Sequence, residues 1–110
     1  MAKYTASFTS DGTVQLCYVI KKRDFRDWLA TIIATGTFGG GTITWQISAD
    51  GGTTKTALKD ISGADQTSNA ADNFTIELGS GGTVNDAPIL YATLAGSTAP
   101  NIAITVFDNN

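Results

Sequence analysis

Along most of this chain apolar and polar residues alternate, and glycine repeatedly ends the runs. Tyr4, Ala6 and Phe8 alternate with Lys3, Thr5, Ser7 and Thr9, ahead of a turn at Ser10-Asp11-Gly12. Val14, Leu16, Tyr18 and Ile20 alternate with Thr13, Gln15, Cys17 and Val19. Ile43, Trp45 and Ile47 alternate with Thr42, Thr44, Gln46 and Ser48, and Phe74, Ile76 and Leu78 with Asn73, Thr75 and Glu77. A period of two sends successive side chains to opposite faces of a strand; a helix needs a stripe at every third or fourth residue. Residues 25–37 are apolar on both sides. Their β-branched run Thr31-Ile32-Ile33 and the glycines that follow favour a central strand over a helix. Shorter strands are expected over residues 54–58, 89–94 and 101–107, with a polar loop at 62–72.

These runs predict an all-β fold: one β-sandwich domain over residues 1–110, with about eight short antiparallel strands. Alternation does not record strand order, so a jelly roll and an immunoglobulin-like sandwich both fit.

The chemistry available to such a domain is narrow. The chain has no histidine, which removes the commonest general base and the usual metal ligand. Its single cysteine, Cys17, can form no intrachain disulfide and reads as a buried core residue. Asp50, Asp60, Asp65, Asp72 and Asp86 sit mostly at turns, where aspartate bonds to local backbone, and Glu77 falls on the solvent face of its strand. No catalytic residue, metal site or cofactor is expected. The glycine runs 39–41 and 79–82 lack the lysine and following helix of a phosphate loop. The oxygen-rich loop at 60–72 matches no defined calcium loop.

Charged residues are only 15% of the chain against the usual ~25%. Threonine, serine, asparagine and glycine replace them, giving a polar surface with little self-repulsion that suits packing against neighbours. The one basic cluster, Lys21-Lys22-Arg23 with Arg26, is interrupted by Asp24 and Asp27, and the net charge is −3, so nucleic acid is not an expected partner. No stretch approaches membrane-spanning length, and residues 1–12 show no signal-peptide core. The expected setting is a reducing cytoplasm, left by lysis.

The segment Ser48-Ala49-Asp50-Gly51-Gly52-Thr53-Thr54 resembles the Asp-box of sialidases and other β proteins, matching at Ser48, Asp50, Gly52 and Thr54 and placing Lys55 where that motif has tryptophan. The resemblance implies a stabilised hairpin turn and no sugar-binding role. Physically, Asp50 can accept from backbone N–H groups while Gly51 and Gly52 take positive φ, as in a tight Asp-Gly hairpin.

The Met1-Ala2-Lys3-Tyr4-Thr5 start, residues 36–52 and residues 91–102 together are similar to small virion proteins of tailed bacteriophages, most of all to capsid decoration (cement) proteins. That resemblance implies a non-enzymatic structural protein of the virion that binds the outer shell and stabilises it. It also implies the major capsid protein as partner and homo-oligomers, trimers in particular. Two candidate contact regions go with that role: the segment 2–9, with Lys3, Tyr4, Thr5 and Phe8, which either adds to a partner's sheet edge or is an ordinary edge strand of the domain's own sheet, and the glycine loop 79–86. Two other roles fit the same features. One is another virion part: a head–tail connector, a tail-tube or terminator subunit, or a fibre or head-spike domain. The other is a carbohydrate- or surface-binding module, for which Tyr91 is the expected exposed aromatic while Trp28 and Trp45 read as buried.

Overall fold

The alternating runs form strands in a computed structural model that describes residues 2–19, 28–60, 62–78 and 88–108. In chain order they are β1 (Ala2–Phe8), β2 (Gly12–Tyr18), β3 (Trp28–Thr37), β4 (Thr42–Ser48), β5 (Thr56–Ala57), β6 (Thr67–Ser68), β7 (Asp72–Leu78), β8 (Ile89–Ala95) and β9 (Asn101–Asp108). No helix occurs among the described residues. Every ladder is antiparallel, and two sheets form: β1-β9-β3-β7, called sheet A, and β2-β8-β4-β5 with β6 also on β4, called sheet B.

The strand order distinguishes the two sandwiches that alternation left open. An immunoglobulin-like domain keeps its first two strands in one sheet, whereas here β1 and β2 lie in different sheets. Counting β5 and β6 as one interrupted strand, the sheets read 1-8-3-6 and 2-7-4-5, the winding of an eight-stranded jelly roll. The nesting is visible in the register. Ala2 pairs Asp108, Gly12 pairs Leu94 and Trp28 pairs Leu78, so these pairs are centred on residues 55, 53 and 53. The described strands thus nest as one long hairpin, folded over on itself, with its apex between β4 and β5.

Inward residues of both sheets form the core, among them Phe8, Ile43 and Trp45, which the alternation nominated. Phe8, Ile32, Ile43, Trp45, Leu90, Leu94, Ile102, Ile104 and Val106 are buried in one core between the sheets. Trp45 of sheet B meets Phe74 of sheet A edge-to-face, with ring centroids 5.3 Å apart. Its indole N–H donates to Ser68 Oγ at 2.9 Å, and that hydroxyl donates to Asp72 Oδ2 at 2.7 Å. Thus the largest buried side chain leaves no polar atom unpaired, the condition for burying tryptophan at all.

Among the described residues the phase fails in β2. In β2, Gln15 faces Tyr91 but Cys17 faces Leu90, so Leu16 is an extra residue forming a bulge. Leu16 and Cys17 are both buried, as expected for Cys17, while Tyr18 turns outward and is 46% exposed. Alternation alone placed Tyr18 inward with Leu16; the bulge reverses every position after it. Smaller differences lie in the polar loop at 62–72, which contains β6, and in the strand expected over 54–58, which is reduced to Thr56–Ala57.

Candidate functional site

Two regions hold the residues singled out by the sequence: the apex of the hairpin and the outer strand of sheet A. At the apex, Ser48 Oγ donates to Asp50 Oδ1 at 2.8 Å and accepts from the Gly52 N–H at 2.9 Å. The Thr54 N–H donates to the same Asp50 oxygen at 2.8 Å. Ser48, Asp50, Gly52 and Thr54 are therefore joined in one network. The N–H of Thr54, then the Ser48 hydroxyl, hold the Asp50 carboxyl below the usual carboxylate range.

This connection is not a two-residue Asp-Gly turn. β4 ends at Ser48 and β5 starts at Thr56, so residues 49–55 form a longer loop, with Gly51 at φ +76° and Gly52 at φ +100°. The extra length lets the loop lie back on the outer face of sheet B. Lys55 Nζ donates to the Gly52 carbonyl at 2.7 Å and stands 4.9 Å from the centre of the Tyr91 ring. Tyr91 pairs with Gln15 and Gln46, and its neighbours Leu90 and Ala92 point into the core, so its ring faces outward. Even so it is only 8% exposed. The expectation of an exposed Tyr91 is thereby corrected: the apex loop covers it. Beside the loop lies an open groove of about 470 Å³, lined by Ile47, Ala49, Asp50, Thr54, Thr56 and Pro88.

Next to Tyr91 a row of threonines crosses the outer face of sheet B. Residues directly opposite in an antiparallel ladder share a face, and the register sets Thr13 beside Thr93, Thr93 beside Thr44, and Thr44 beside Thr67. The hydroxyls of Thr13 and Thr93 share a hydrogen bond at 2.9 Å, and Thr93 donates to Gln46 Oε1 at 2.6 Å.

In β1, Phe8 is buried and Tyr4 packs partly against the core, where burial and then the nearby Asp108 raise its phenol pKa. Lys3, Thr5 and Ser7 are exposed. The strand pairs along its whole length with β9 and forms the outer edge of sheet A. Hence Phe8 is not available to a partner; what β1 offers is Lys3, Thr5, Ser7 and a backbone edge that no other described strand pairs. Residues 79–86, the second contact region, and the cluster Lys21-Lys22-Arg23 with Arg26 lie outside the described residues, as does the side chain of Trp28.

Other acids among the described residues are held by hydrogen bonds or an ion pair. Asp60 accepts from the Ser62 hydroxyl and from the N–H groups of Ser62 and Ala64, the hydroxyl being the main cause of its lowered pKa. Asp11 is lowered likewise by Ser97, whose hydroxyl and N–H it accepts, and Asp65 pairs with Lys59. Among the described residues no three His, Cys, Asp or Glu side chains gather as a metal site. Neither a scan against protein-family models nor a search of curated proteins finds a match for this chain.

Proposed function

We propose that this chain is a structural protein of a tailed-phage virion, a decoration protein that binds the outer shell and stabilises it. The major capsid protein is its partner, and it acts together with further copies of itself. The observation that carries the reading is the jelly-roll strand order, an architecture used repeatedly for viral capsid domains. Fold analogy of this kind bears on setting more than on task. Support for the task comes from the row of uncharged threonines across the outer face of sheet B, which favours close packing over repulsion. Its mechanism is mass action: each bound copy adds RT ln(1 + [L]/Kd) to the assembled shell. Repetition over a lattice makes individually weak contacts durable. With Tyr91 covered, the carbohydrate-binding reading lacks the aromatic it relied on.

The test is direct. Antibody raised against the purified protein is applied to intact phage particles from the same source and examined by electron microscopy. Regular labelling of the head, together with heads that burst at lower temperature when the protein is absent, is the expected result. Labelling confined to the tail would transfer the protein to the connector or tail-tube class. No labelling, with the protein found only free, would end the virion reading.

A further inference from the structure

A sheet edge that is long, flat and uncovered is a template for another strand, and proteins normally guard it with bulges, brevity, proline or charged side chains. Three of the edges here are guarded. β2 is broken by the bulge at Leu16, β5 and β6 have two residues each, and β7 carries Asp72 and Glu77. By contrast β1 runs seven residues, Ala2–Phe8, in unbroken register with β9, without proline, glycine or bulge. It carries a single charge, Lys3, against the two of β7.

We infer that this edge pairs with β1 of a second copy, antiparallel about a two-fold axis through Thr5. Register follows from the faces. Directly opposed residues share a face, so exposed Lys3, Thr5 and Ser7 must oppose one another and not the inward Tyr4, Ala6 and Phe8. Centring on Thr5 is the register that uses the whole strand. It sets Thr5 against Thr5 of the second copy, a favourable cross-strand pair, and Lys3 against Ser7, so no like charges meet. On the inner face it sets Tyr4 against Ala6, large against small, covering the part of Tyr4 that the core leaves open. The contact is isologous and closes at two copies, joining the two four-stranded A sheets into one. This arrangement is independent of the proposed virion role, and it differs from the three-fold assembly that decoration proteins suggest.

A ladder of this size is small beside the ~1,200 Å² of a standard interface, so micromolar affinity is expected. The experiment is sedimentation equilibrium of the purified full chain from about 10 μM to about 1 mM, a range that brackets weak complexes. The expected result is a monomer–dimer equilibrium. Thr5→Lys, at an exposed position, places two ammonium groups face to face and should weaken association at least tenfold with an unchanged thermal melt. Thr5→Cys should form a disulfide-linked dimer under mild oxidation, while Thr13→Cys, equally exposed on sheet B, should not. A native chain that stays monomeric throughout, a trimer or larger ring, a dimer unaffected by Thr5→Lys, or equal cross-linking of the two cysteine variants would each overturn the pairing. If Thr5→Lys instead abolishes attachment to phage heads while the native chain is monomeric, the edge belongs to the shell protein and self-pairing is refuted. Because self-association is read on pure protein, its failure leaves the virion reading standing.

Discussion

Replacing Gly52 with alanine tests whether the apex loop really rests on Tyr91. Two penalties combine at this position. Gly52 has φ +100°, outside the small left-handed region that other residues tolerate, which costs about 1–2 kcal/mol. An added Cβ would also lie 2.4 Å from Tyr91 Oη and 3.1 Å from the ring carbon that bears it. Removing an overlap of that size requires the loop to lift or the ring to shift, typically ~1–3 kcal/mol. The expected loss is therefore about 3 kcal/mol. Gly51→Ala is the internal control, since Gly51 has φ +76° and nothing lies within 4 Å of its Cβ position; it should cost only about 1 kcal/mol. In a domain of this size each kcal/mol lowers Tm by roughly 4 °C, so the two variants should melt about 8 °C apart. Urea unfolding of both, repeated in a Tyr91→Phe background, completes a cycle in which the Gly52→Ala penalty shrinks once the hydroxyl is gone. Equal losses for Gly51→Ala and Gly52→Ala, or a Gly52→Ala penalty unchanged by Tyr91→Phe, would refute the packing of loop on ring.

Three further outcomes follow from the core and the acids. Ser68→Ala strips the buried Trp45 N–H of its acceptor and should destabilise by about 1–3 kcal/mol in denaturant unfolding, whereas Ser62→Ala in the exposed turn should change little. Burial, and secondarily Asp108, push the Cys17 thiol up to about 12. The folded state therefore holds that proton more tightly than the unfolded chain, and stability should fall as pH rises above about 9, by roughly 2 kcal/mol at pH 10.5. In Cys17→Ala that alkaline decline should flatten. Asp50 shifts the opposite way: its folded form binds a proton more weakly, so its contribution is present above about pH 4 and disappears as pH falls through the lowered value. Asp50→Asn should accordingly show a shallower loss of urea midpoint on acidification than the native chain.

Strands were legible because Ile43 and Trp45, for example, alternate cleanly with Thr42, Thr44 and Gln46 and are buried as that pattern requires. The β2 bulge was not, because Leu16, Cys17, Tyr18, Val19 and Ile20 are all apolar and fit either phase. Once the phase is ambiguous, only the partner strand decides it, through Leu90 and Ile89. β6 escaped for a different reason: Thr67-Ser68 is too short to show a period, and its place is set by Trp45 needing an acceptor. The spacing Ser48, Asp50, Gly52, Thr54 announced a bonded turn, but where that turn lies depends on Tyr91, which is far away in sequence. The jelly-roll order itself leaves no local mark, since nothing near Ala2 points to Asp108.

The nesting does imply an order of closure. Ile47 and Thr56 meet across a short loop, whereas Ala2 and Asp108 stand at opposite ends of the chain. Loop entropy rises by ~0.6 kcal/mol per doubling of length, so closing the outer pair first would cost roughly 2 kcal/mol more than closing the apex. Zipping outward from the Asp50 turn avoids that cost, because each ladder shortens the loop the next must close. β1 is then the last strand to join and, lying at an edge, the first to leave. Hydrogen exchange should find β1 amides losing protection at a lower opening free energy than those of β4 and β8, which lie inside sheet B. Equal protection in all three would mean that the sandwich opens as one unit and that the nested order has no energetic counterpart. If β1 does open first, its protection should rise with protein concentration in the native chain and not in Thr5→Lys, because pairing with a second copy stabilises the strand that the monomer holds least firmly.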